Sequence, residues 1–274
     1  MSPWFVKYDG VCSRCGNPLF RGMEAVWDRS SKTIRCVACP TSGEAAPKPA
    51  PVPQPTFDPG VAGASARREH ERLAAKRAER IDGKVGPRLG RIVRAIVAEP
   101  QSTRAWAIGA VGEEKLGKAL EGFDGFRVLH DRRVPGSRAN VDHIVIAPAG
   151  IFVVDAKHLE GSIEIRNRGG FFRPDWRLTV GRRDQSKLAR AMPRQVEVVR
   201  TALMASGVDP LPPITPVLCF VDGDWPLIRP PKEFEGVLLE SERSIRKVVT
   251  GSHVLGGAEI DRLAEILGRA LPPA

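Results

Sequence analysis

Two aspartates and one lysine interrupt two apolar runs of this sequence, and these charged residues are the ones best suited to chemistry. The stretch NVDHIVIAPAGIFVVDAKH, residues 140–158, carries Asp142 in its first run and Asp155 and Lys157 in its second. Pro-Ala-Gly between the runs is typical of a turn, so we predict a β-hairpin. An unpaired charge inside a strand is very unfavourable, so three charges in one hairpin indicate a specific purpose.

Strand geometry predicts that these three charges converge. Residues two apart in a strand point to the same face, so Asp155 and Lys157 project together. Facing side chains of antiparallel neighbours have Cβ atoms within about 5 Å, which brings Asp142 close to them. Two carboxylates at that distance repel each other unless a proton or a cation separates them.

A divalent metal ion would satisfy this pair of carboxylates. Mg²⁺ prefers carboxylates, waters and substrate phosphates as ligands, and it lowers the pKa of a bound water. Lys157 beside it could hold the attacking water or stabilise an anionic transition state. The pattern therefore favours phosphodiester hydrolysis, with structural ion pairs at a strand end as the alternative. His143 and His158 face away from Asp155 in the strands, so a general-base role for either is disfavoured.

The elements around the hairpin alternate between strands and helices. We expect a helix in RAWAIGAVGEEKLGKALEGF, capped by Ser102 or Thr103, with strands on either side of the hairpin. Gly109 and Gly112 weaken a helix interior by about 1 kcal/mol each, which indicates close packing or a nearby ligand. A later helix is expected to start after Pro193. Strands surrounded by helices predict an α/β fold with a mixed sheet.

Three segments carry a resemblance to a known family. The sequence resembles the nuclease-related domain (NERD), a family that is similar to the PD-(D/E)xK nuclease superfamily. The segments that carry the resemblance are, in order along the chain, GAVGEEKLGKAL, VLHDRRVPGSRANVDHIVIAPAGIFVVDAKHLEGSI and MPRQV. The resemblance covers about residues 105–205. An ordered set of Gly-x-x-Gly-Glu, Asp-His, Asp-x-Lys and a later Gln is far more specific than a lone Asp-x-Lys. It implies a restriction-endonuclease-like α/β core, a mixed sheet flanked by helices.

The same resemblance implies an active centre. Its catalytic residues would be Glu113, Asp142, Asp155, Lys157 and Gln195. The three carboxylates would bind Mg²⁺ or Mn²⁺, and Gln195 would be a helix-borne accessory residue. Glu113, expected near a helix start, could complete the metal ligands. Asp155 stands where the superfamily more often has glutamate, which is a permitted change. Without the family pattern, Gln195 would be interpreted as an ordinary surface glutamine.

Four cysteines near the start of the sequence predict a zinc site. They form two C-x-x-C pairs with twenty residues between the pairs, and they are Cys12, Cys15, Cys36 and Cys39. This spacing matches a structural Cys₄ Zn²⁺ site, so we predict a small zinc ribbon. Disulfides or a redox dithiol are the alternative, but so small a unit could hardly fold without a metal. Cys219, in an apolar run, is expected to be a buried core thiol.

Composition and charge suggest the domain organisation and the partners. We assign residues 1–40 to the zinc-ribbon-like module, 41–65 to a Pro/Ala-rich linker, 66–100 to a basic helical region and 101–274 to the nuclease-like domain. The net charge of +10 over 274 residues favours an anionic partner, above all nucleic acid. No apolar run reaches about 18 residues and no signal-peptide pattern is present, so we expect a cytoplasmic protein without membrane contact.

Two basic stretches could contact phosphates. RNRGGFFRPDWRL and GRRDQSKLAR mix arginines with aromatic residues, which suits a nucleic-acid groove, although ordinary surface charge would explain them equally well. The basic helical region is likewise either a phosphate-binding arm or a solvated helix face. We therefore expect a metal-dependent nuclease with DNA as the favoured substrate and a possible protein partner at the zinc ribbon. The alternative is a non-catalytic or partner-gated module that binds nucleic acid or protein.

Overall fold

The chain divides into two units, residues 1–54 and 55–274. This computed structural model describes residues 4–7, 10–14, 18–19, 23–29, 31–37, 57–97, 100–121, 125–137, 139–170, 172–251 and 254–274, without the side chains of Trp4, Pro18, Arg94 and Ser102. Most of the stretch assigned to the linker therefore lies outside the described residues. Among the described helices, none is both long enough and apolar enough to cross a bilayer.

The smaller unit contains short strands around a small core. The strands are Trp4–Phe5 (β1), Gly10–Val11 (β2), Pro18–Leu19 (β3), Glu24–Asp28 (β4) and Thr33–Cys36 (β5). One sheet has the order β1-β4-β5, and β2 pairs with β3. The Cys36 N–H donates a hydrogen bond of 3.2 Å to Cys12 Sγ, which brings together one cysteine from each predicted pair. Cys15 and Cys39 lie outside the described residues, so zinc binding stays a prediction.

The larger unit contains the main sheet and its helices. The helices are Ala64–Val85 (α1), Pro87–Ile96 (α2), Gln101–Leu120 (α3), Ser186–Ala205 (α4), Ile245–Val249 (α5) and Gly257–Ala270 (α6). The strands are Arg127–Arg133 (β6), Asn140–Ala147 (β7), Gly150–Lys157 (β8), Ile163–Asn167 (β9), Trp176–Val180 (β10), Arg183–Asp184 (β11), Ile214–Phe220 (β12), Glu233–Phe234 (β13) and Val237–Ser241 (β14).

The main sheet is mixed and has the order β13-β14-β12-β8-β7-β6. Strands β6, β7 and β8 form an antiparallel meander, whereas β12 runs parallel to both β8 and β14. The segment between β8 and β12 contains a second, smaller sheet of order β11-β10-β9 and then α4. A mixed six-stranded sheet with helices on both faces confirms the predicted α/β class and is consistent with a restriction-endonuclease-like core.

Strand β8 lies at the centre of the main sheet and is buried on both faces. Its even-numbered residues, such as Phe152, share a core with Leu116 of α3. Its odd-numbered residues, such as Val153, share another core with Met192 of α4. A strand covered on both sides reads as a continuous apolar run, which explains the sequence of β8 up to Val154.

Two expectations about helix boundaries are wrong. Helix α4 begins at Ser186, so Pro193 lies inside it and does not precede it. Asp184 Oδ1 accepts the Ser186 N–H at 2.8 Å and starts the helix early. Burial of one face of α4 compensates for the hydrogen bond that the proline removes. Helix α3 begins at Gln101, so Glu113 lies past its midpoint and not near a helix start.

Candidate active site

Three aspartates on neighbouring strands form a row near one edge of the main sheet. The pairing of His143 with Val154 places Asp142 opposite Asp155, one step further along the β7–β8 ladder. On the other side of β7, the β6–β7 register continues the row to Asp131. Asp131 is not among the residues predicted from the sequence, although a carboxylate inside the strand VLHDRR was a usable signal. Asp131, Asp142 and Asp155 thus form an acidic row across three neighbouring strands of the main sheet.

Lys157 lies between two of these carboxylates. Its Nζ forms an ion pair with Asp155 Oδ1 and lies 4.0 Å from Asp142 Oδ2. The exposed fractions of the side chains are 26% for Lys157, 22% for Asp142 and 8% for Asp155. The structure thus brings the three charges of the hairpin together in a partly buried position, where electrostatic interactions are stronger than at the open surface. Their chemical role stays a prediction.

Glu113 joins this cluster from helix α3. The backbone N–H of Gly63 acts to lower the pKa of its carboxylate. Gly112, the preceding residue, lies so close to the end of β8 that a Cβ there would be 3.0 Å from the His158 Cβ. The close packing expected at this glycine is therefore confirmed, whereas a Cβ at Gly109 would have no neighbour within 4 Å. Helix α3 can approach the sheet here because residue 112 has no side chain.

The electrostatics show that negative charge exceeds positive charge in the cluster. Burial raises the pKa of Asp142 well above its usual value, and the Asp155 carboxylate raises it further. Burial and the Asp131 carboxylate raise the pKa of Glu113 to about 7. Burial acts to lower the pKa of Lys157, but Asp155 and Asp142 outweigh it, so that pKa is raised. One ammonium therefore shares this site with two carboxylates, those of Asp142 and Glu113, whose pKa values are raised.

The carboxylates of the cluster are chemically suited to bind a hard divalent cation. Among the described residues, no three His, Cys, Asp or Glu side chains are already arranged as ligands of one metal ion. The candidates are nevertheless carboxylates, which Mg²⁺ and Mn²⁺ prefer. The raised pKa values of Asp142 and Glu113 indicate that a cation would relieve repulsion at the cluster. Glu113, Asp142 and Asp155 are thus the residues that could hold it.

Gln195 lies on α4, which covers the sheet face towards which Asp155 and Lys157 project. This assignment follows from alternation along β8, because Val153 on the same face packs in one core with α4 residues. Gln195 Oε1 is buried and has no hydrogen-bond donor among the described residues. A buried acceptor without a donor is uncommon, so this oxygen is free to accept a hydrogen bond from water or ligand.

The histidines next to the cluster pair with groups other than Asp142 and Asp155. His143 Nδ1 lies 2.8 Å from His130 Nδ1 in a buried hydrogen bond. Burial lowers the pKa of both rings, so they pack as neutral side chains beside α3. His158 Nε2 lies 3.5 Å from Asp222 Oδ2. These partners agree with the expectation that neither histidine is the general base, and they leave Lys157 as the cation nearest to Asp142 and Asp155.

The arginine-rich segment after β8 is only partly neutralised. Some of its arginines pair with carboxylates, including Arg166 with Glu164 at 2.5 Å and Arg177 with Asp175 at 2.7 Å. Within the described part of the chain, five exposed basic side chains of this segment have no acidic partner: Arg168, Arg173, Arg182, Arg183 and Lys187. The side chain of Trp176 is 55% exposed. This basic surface is therefore available to phosphates, although its ligand is untested.

A comparison with known families assigns the domain that contains this cluster. Residues 108–221 match the sequence model of a family described as the nuclease-related domain. The matched region includes the carboxylates and lysine of the cluster as well as Gln195. No curated protein and no solved structure gave a significant match. The resemblance to the nuclease-related domain, NERD, is thus confirmed by the match over residues 108–221.

Proposed function

We propose that this protein is a metal-dependent nuclease that hydrolyses phosphodiester bonds, with DNA as the favoured substrate. The observation that carries the proposal is the cluster of Asp142, Asp155 and Lys157 inside the region matched to the nuclease-related domain. Hydrolysis of a phosphodiester requires an activated water and stabilisation of negative charge on the phosphoryl oxygens. Carboxylates next to a lysine supply ligands for the first task and a cation for the second.

Each residue has a role that its surroundings support. Glu113, Asp142 and Asp155 would hold Mg²⁺ or Mn²⁺. Such an ion, when bound, polarises a phosphoryl oxygen and lowers the pKa of a bound water. Asp155 orients the Lys157 ammonium, whose raised pKa keeps it charged for contact with the anionic transition state. Gln195 would use its buried Oε1 as a hydrogen-bond acceptor for a water molecule.

The preference for nucleic acid rests on charge. The chain has a net charge of +10. The exposed arginines without acidic partners lie in or next to β9, β10 and β11, in the segment that follows β8 and Lys157 in the sequence. Such a surface binds phosphates without regard to base sequence, and an exposed Trp176 can stack on an unpaired base. The choice of DNA as the favoured substrate rests on the resemblance to the nuclease-related family together with this charge.

We also propose that the smaller unit binds one structural Zn²⁺ through Cys12, Cys15, Cys36 and Cys39. The supporting observations are the contact between Cys36 N–H and Cys12 Sγ and a core of only four buried apolar residues among those described. So small a core needs a metal or disulfides to fold stably. Elemental analysis should find about one zinc per chain, and Cys12→Ser should lose it. A zinc-free, folded wild-type unit would refute this assignment.

The first test of the nuclease assignment is a cleavage assay on four substrates: supercoiled plasmid, linear duplex, single-stranded DNA and RNA. Wild type and Asp155→Asn are compared in Mg²⁺, Mn²⁺ and EDTA. We expect metal-dependent cleavage that falls by about a hundredfold or more in the variant, because a group that organises charge in the transition state is lost. Asp261→Asn, which changes a 56% exposed carboxylate, is the matched control. Cleavage that survives in EDTA or in Asp155→Asn would overturn the proposal.

A second candidate is a non-catalytic or partner-gated binding module. The observation that favours it is the Lys157 ammonium between the two aspartates, an arrangement already balanced in part without a metal. This candidate predicts nucleic-acid binding that is indifferent to divalent ions and no cleavage of any substrate. Cleavage that begins only when a partner protein is added would identify gating by that partner, with the zinc ribbon as the docking element.

A further inference from the structure

A segment outside the matched domain crosses the edge of the main sheet next to the acidic cluster. We call residues 57–68 the crossing segment; it leads into α1 and includes its first turn. The His130 N–H of β6 donates a hydrogen bond to the Pro59 carbonyl at 2.7 Å. The Arg132 Nη1 donates to the Asp58 carbonyl at 2.8 Å. The segment is thus hydrogen-bonded to the edge strand that carries Asp131 of the row, and does not pass over it as a loose connection.

Two glycines let the crossing segment approach the domain this closely. Gly60 has φ +77°, and a Cβ there would lie 2.2 Å from the His130 carbonyl oxygen. Gly63 has φ +72°, and a Cβ there would lie 2.8 Å from the Ala110 carbonyl oxygen in α3. Both backbone conformation and space therefore require glycine at these positions. The start of α1 is fixed against β6 and α3 together.

The first turn of α1 directs backbone N–H groups at two carboxylates of the cluster. Asp131 Oδ2 accepts the Ser65 N–H at 2.6 Å, and the Gly63 N–H acts to lower the pKa of the Glu113 carboxylate. The first N–H groups of a helix have no acceptor inside the helix, and they lie at the positive end of its dipole. Helix α1 therefore provides, from outside the matched domain, the donor that holds Asp131 and a positive helix end next to Glu113.

Asp131 occupies an unusual and well-determined position. It is 2% exposed and has φ +50°, a backbone conformation that few residues other than glycine adopt. Its Oδ1 accepts the Asn140 amide at 3.0 Å, and Arg68 Nη2 lies 3.7 Å from Oδ2. With both oxygens bound to donors, Asp131 is an anchor for α1 and not a fourth ligand. It also lies close enough to Glu113 to act on that carboxylate electrostatically.

We propose that Asp131 and the first turn of α1 are positioning groups, which hold Glu113 in the place where it completes the metal-binding carboxylates. The inference rests on the proposed nuclease function for its metal. Asp131 anchors the helix start through Ser65, and the anchored helix start packs at Gly63 against the Ala110 carbonyl of α3, three residues before Glu113. The functional unit then extends beyond residues 108–221, because its third carboxylate is held by a helix that precedes the matched region.

The test removes one N–H donor. Ser65→Pro eliminates the bond to Asp131, and proline is tolerated in the first turn of a helix, where the N–H has no helical acceptor. Ser65→Ala retains the N–H and is the matched control. Asp131→Asn is a second variant that suits the left-handed backbone and keeps one oxygen acceptor. Circular dichroism and thermal unfolding first establish that each variant is folded.

The readouts are Mn²⁺ affinity, measured by calorimetry and electron paramagnetic resonance, and the Mn²⁺ dependence of plasmid cleavage. We expect Ser65→Pro and Asp131→Asn to weaken Mn²⁺ binding by about tenfold or more, as partners of metal ligands typically do, while kcat at saturating Mn²⁺ changes little. Ser65→Ala should match wild type. A purely structural role would lower thermal stability and leave the Mn²⁺ affinity of the folded protein unchanged.

The outcomes separate this inference from the proposed function. If wild type binds Mn²⁺ and cleaves, but folded Ser65→Pro and Asp131→Asn bind Mn²⁺ as tightly as Ser65→Ala, the positioning role is overturned and the nuclease assignment stands. If wild type neither binds Mn²⁺ nor cleaves, the proposed function fails, and the positioning role for a metal fails with it. Weaker Mn²⁺ binding in both folded variants, with normal binding in Ser65→Ala, supports the inference.

Discussion

Replacing Lys157 by methionine should destabilise the metal-free protein strongly at alkaline pH and weakly at acidic pH. The ammonium pairs with Asp155 and lies 4.0 Å from Asp142 Oδ2. Methionine has a similar length and an apolar stem but no charge. The variant therefore leaves two facing carboxylates, only 22% and 8% exposed, without their nearest cation.

The size of the effect follows from the burial of these groups. Removing one partner of a buried ion pair destabilises a protein by about 3–5 kcal/mol. Because the Lys157 side chain keeps 26% of its exposure, we expect a loss just below that range, about 2–3 kcal/mol of unfolding free energy near pH 8. Burial already raises the pKa of Asp142, and loss of the ammonium raises it further. Protonation removes the repulsion, so the loss should shrink below about 1 kcal/mol near pH 5.

Urea unfolding in EDTA, followed by fluorescence near those two pH values, measures both losses. The control is Lys187→Met, which removes a positive charge elsewhere in the protein. Lys187 is exposed and has no acidic partner among the described residues. Excess Mn²⁺ should restore part of the stability of Lys157→Met if the carboxylates bind it. An equal loss at both pH values would refute the reasoning, because it would assign the effect to packing of the lysine stem.

Three further predictions concern the same unit. Burial raises the pKa of Glu113 from 4.5 to about 7, so metal-free wild type should lose stability as pH rises through that interval, by about 3 kcal/mol at most. Glu113→Gln should reduce this dependence in urea titrations without abolishing it, because the raised pKa of Asp142 acts in the same direction. Gly60→Ala should lower the melting temperature by at least about 5 °C, because the new Cβ would meet the His130 carbonyl. The decrease should be larger than for Gly86→Ala, where φ is +79° but a Cβ would have no atom within 4 Å. Equal decreases would mean that backbone strain alone matters. Burial raises the pKa of the Cys219 thiol, so a thiol reagent should modify Cys219 only on unfolding; fast labelling of the native protein at this residue would contradict its burial.

The hairpin could be predicted from the sequence because its geometry is local. Asp142 and Asp155 belong to two runs joined by a turn, and alternation with period two fixes which residues face each other. The turn sets the register, and the observed pairing of His143 with Val154 leads directly to the two aspartates. The same locality made the common face of Asp155 and Lys157 predictable.

The role of the crossing segment could not be predicted in this way. Ser65 and Asp131 are 66 residues apart, and the donor is a backbone N–H, which leaves no residue-type signal in the sequence. Composition alone assigned residues up to 65 to a linker, because proline and alanine do not reveal a contact with a sheet edge. The start of α4 was missed for a related reason. The proline rule is local, whereas the burial that overrides it comes from the rest of the domain.

The position of β8 between β7 and β12 has a consequence for how the protein opens. A strand bonded on both sides and covered on both faces should exchange its amide hydrogens only in the global unfolding of the unit. Helix α1, half-exposed and attached through its first turn, should open in smaller and more frequent fluctuations. Asp142, Asp155 and Lys157 would then keep their positions during local openings that release Glu113. Native-state hydrogen exchange would thus show slow exchange around Asp142, Asp155 and Lys157 and faster exchange in the elements that hold Glu113. Ligand binding would slow exchange most in α1.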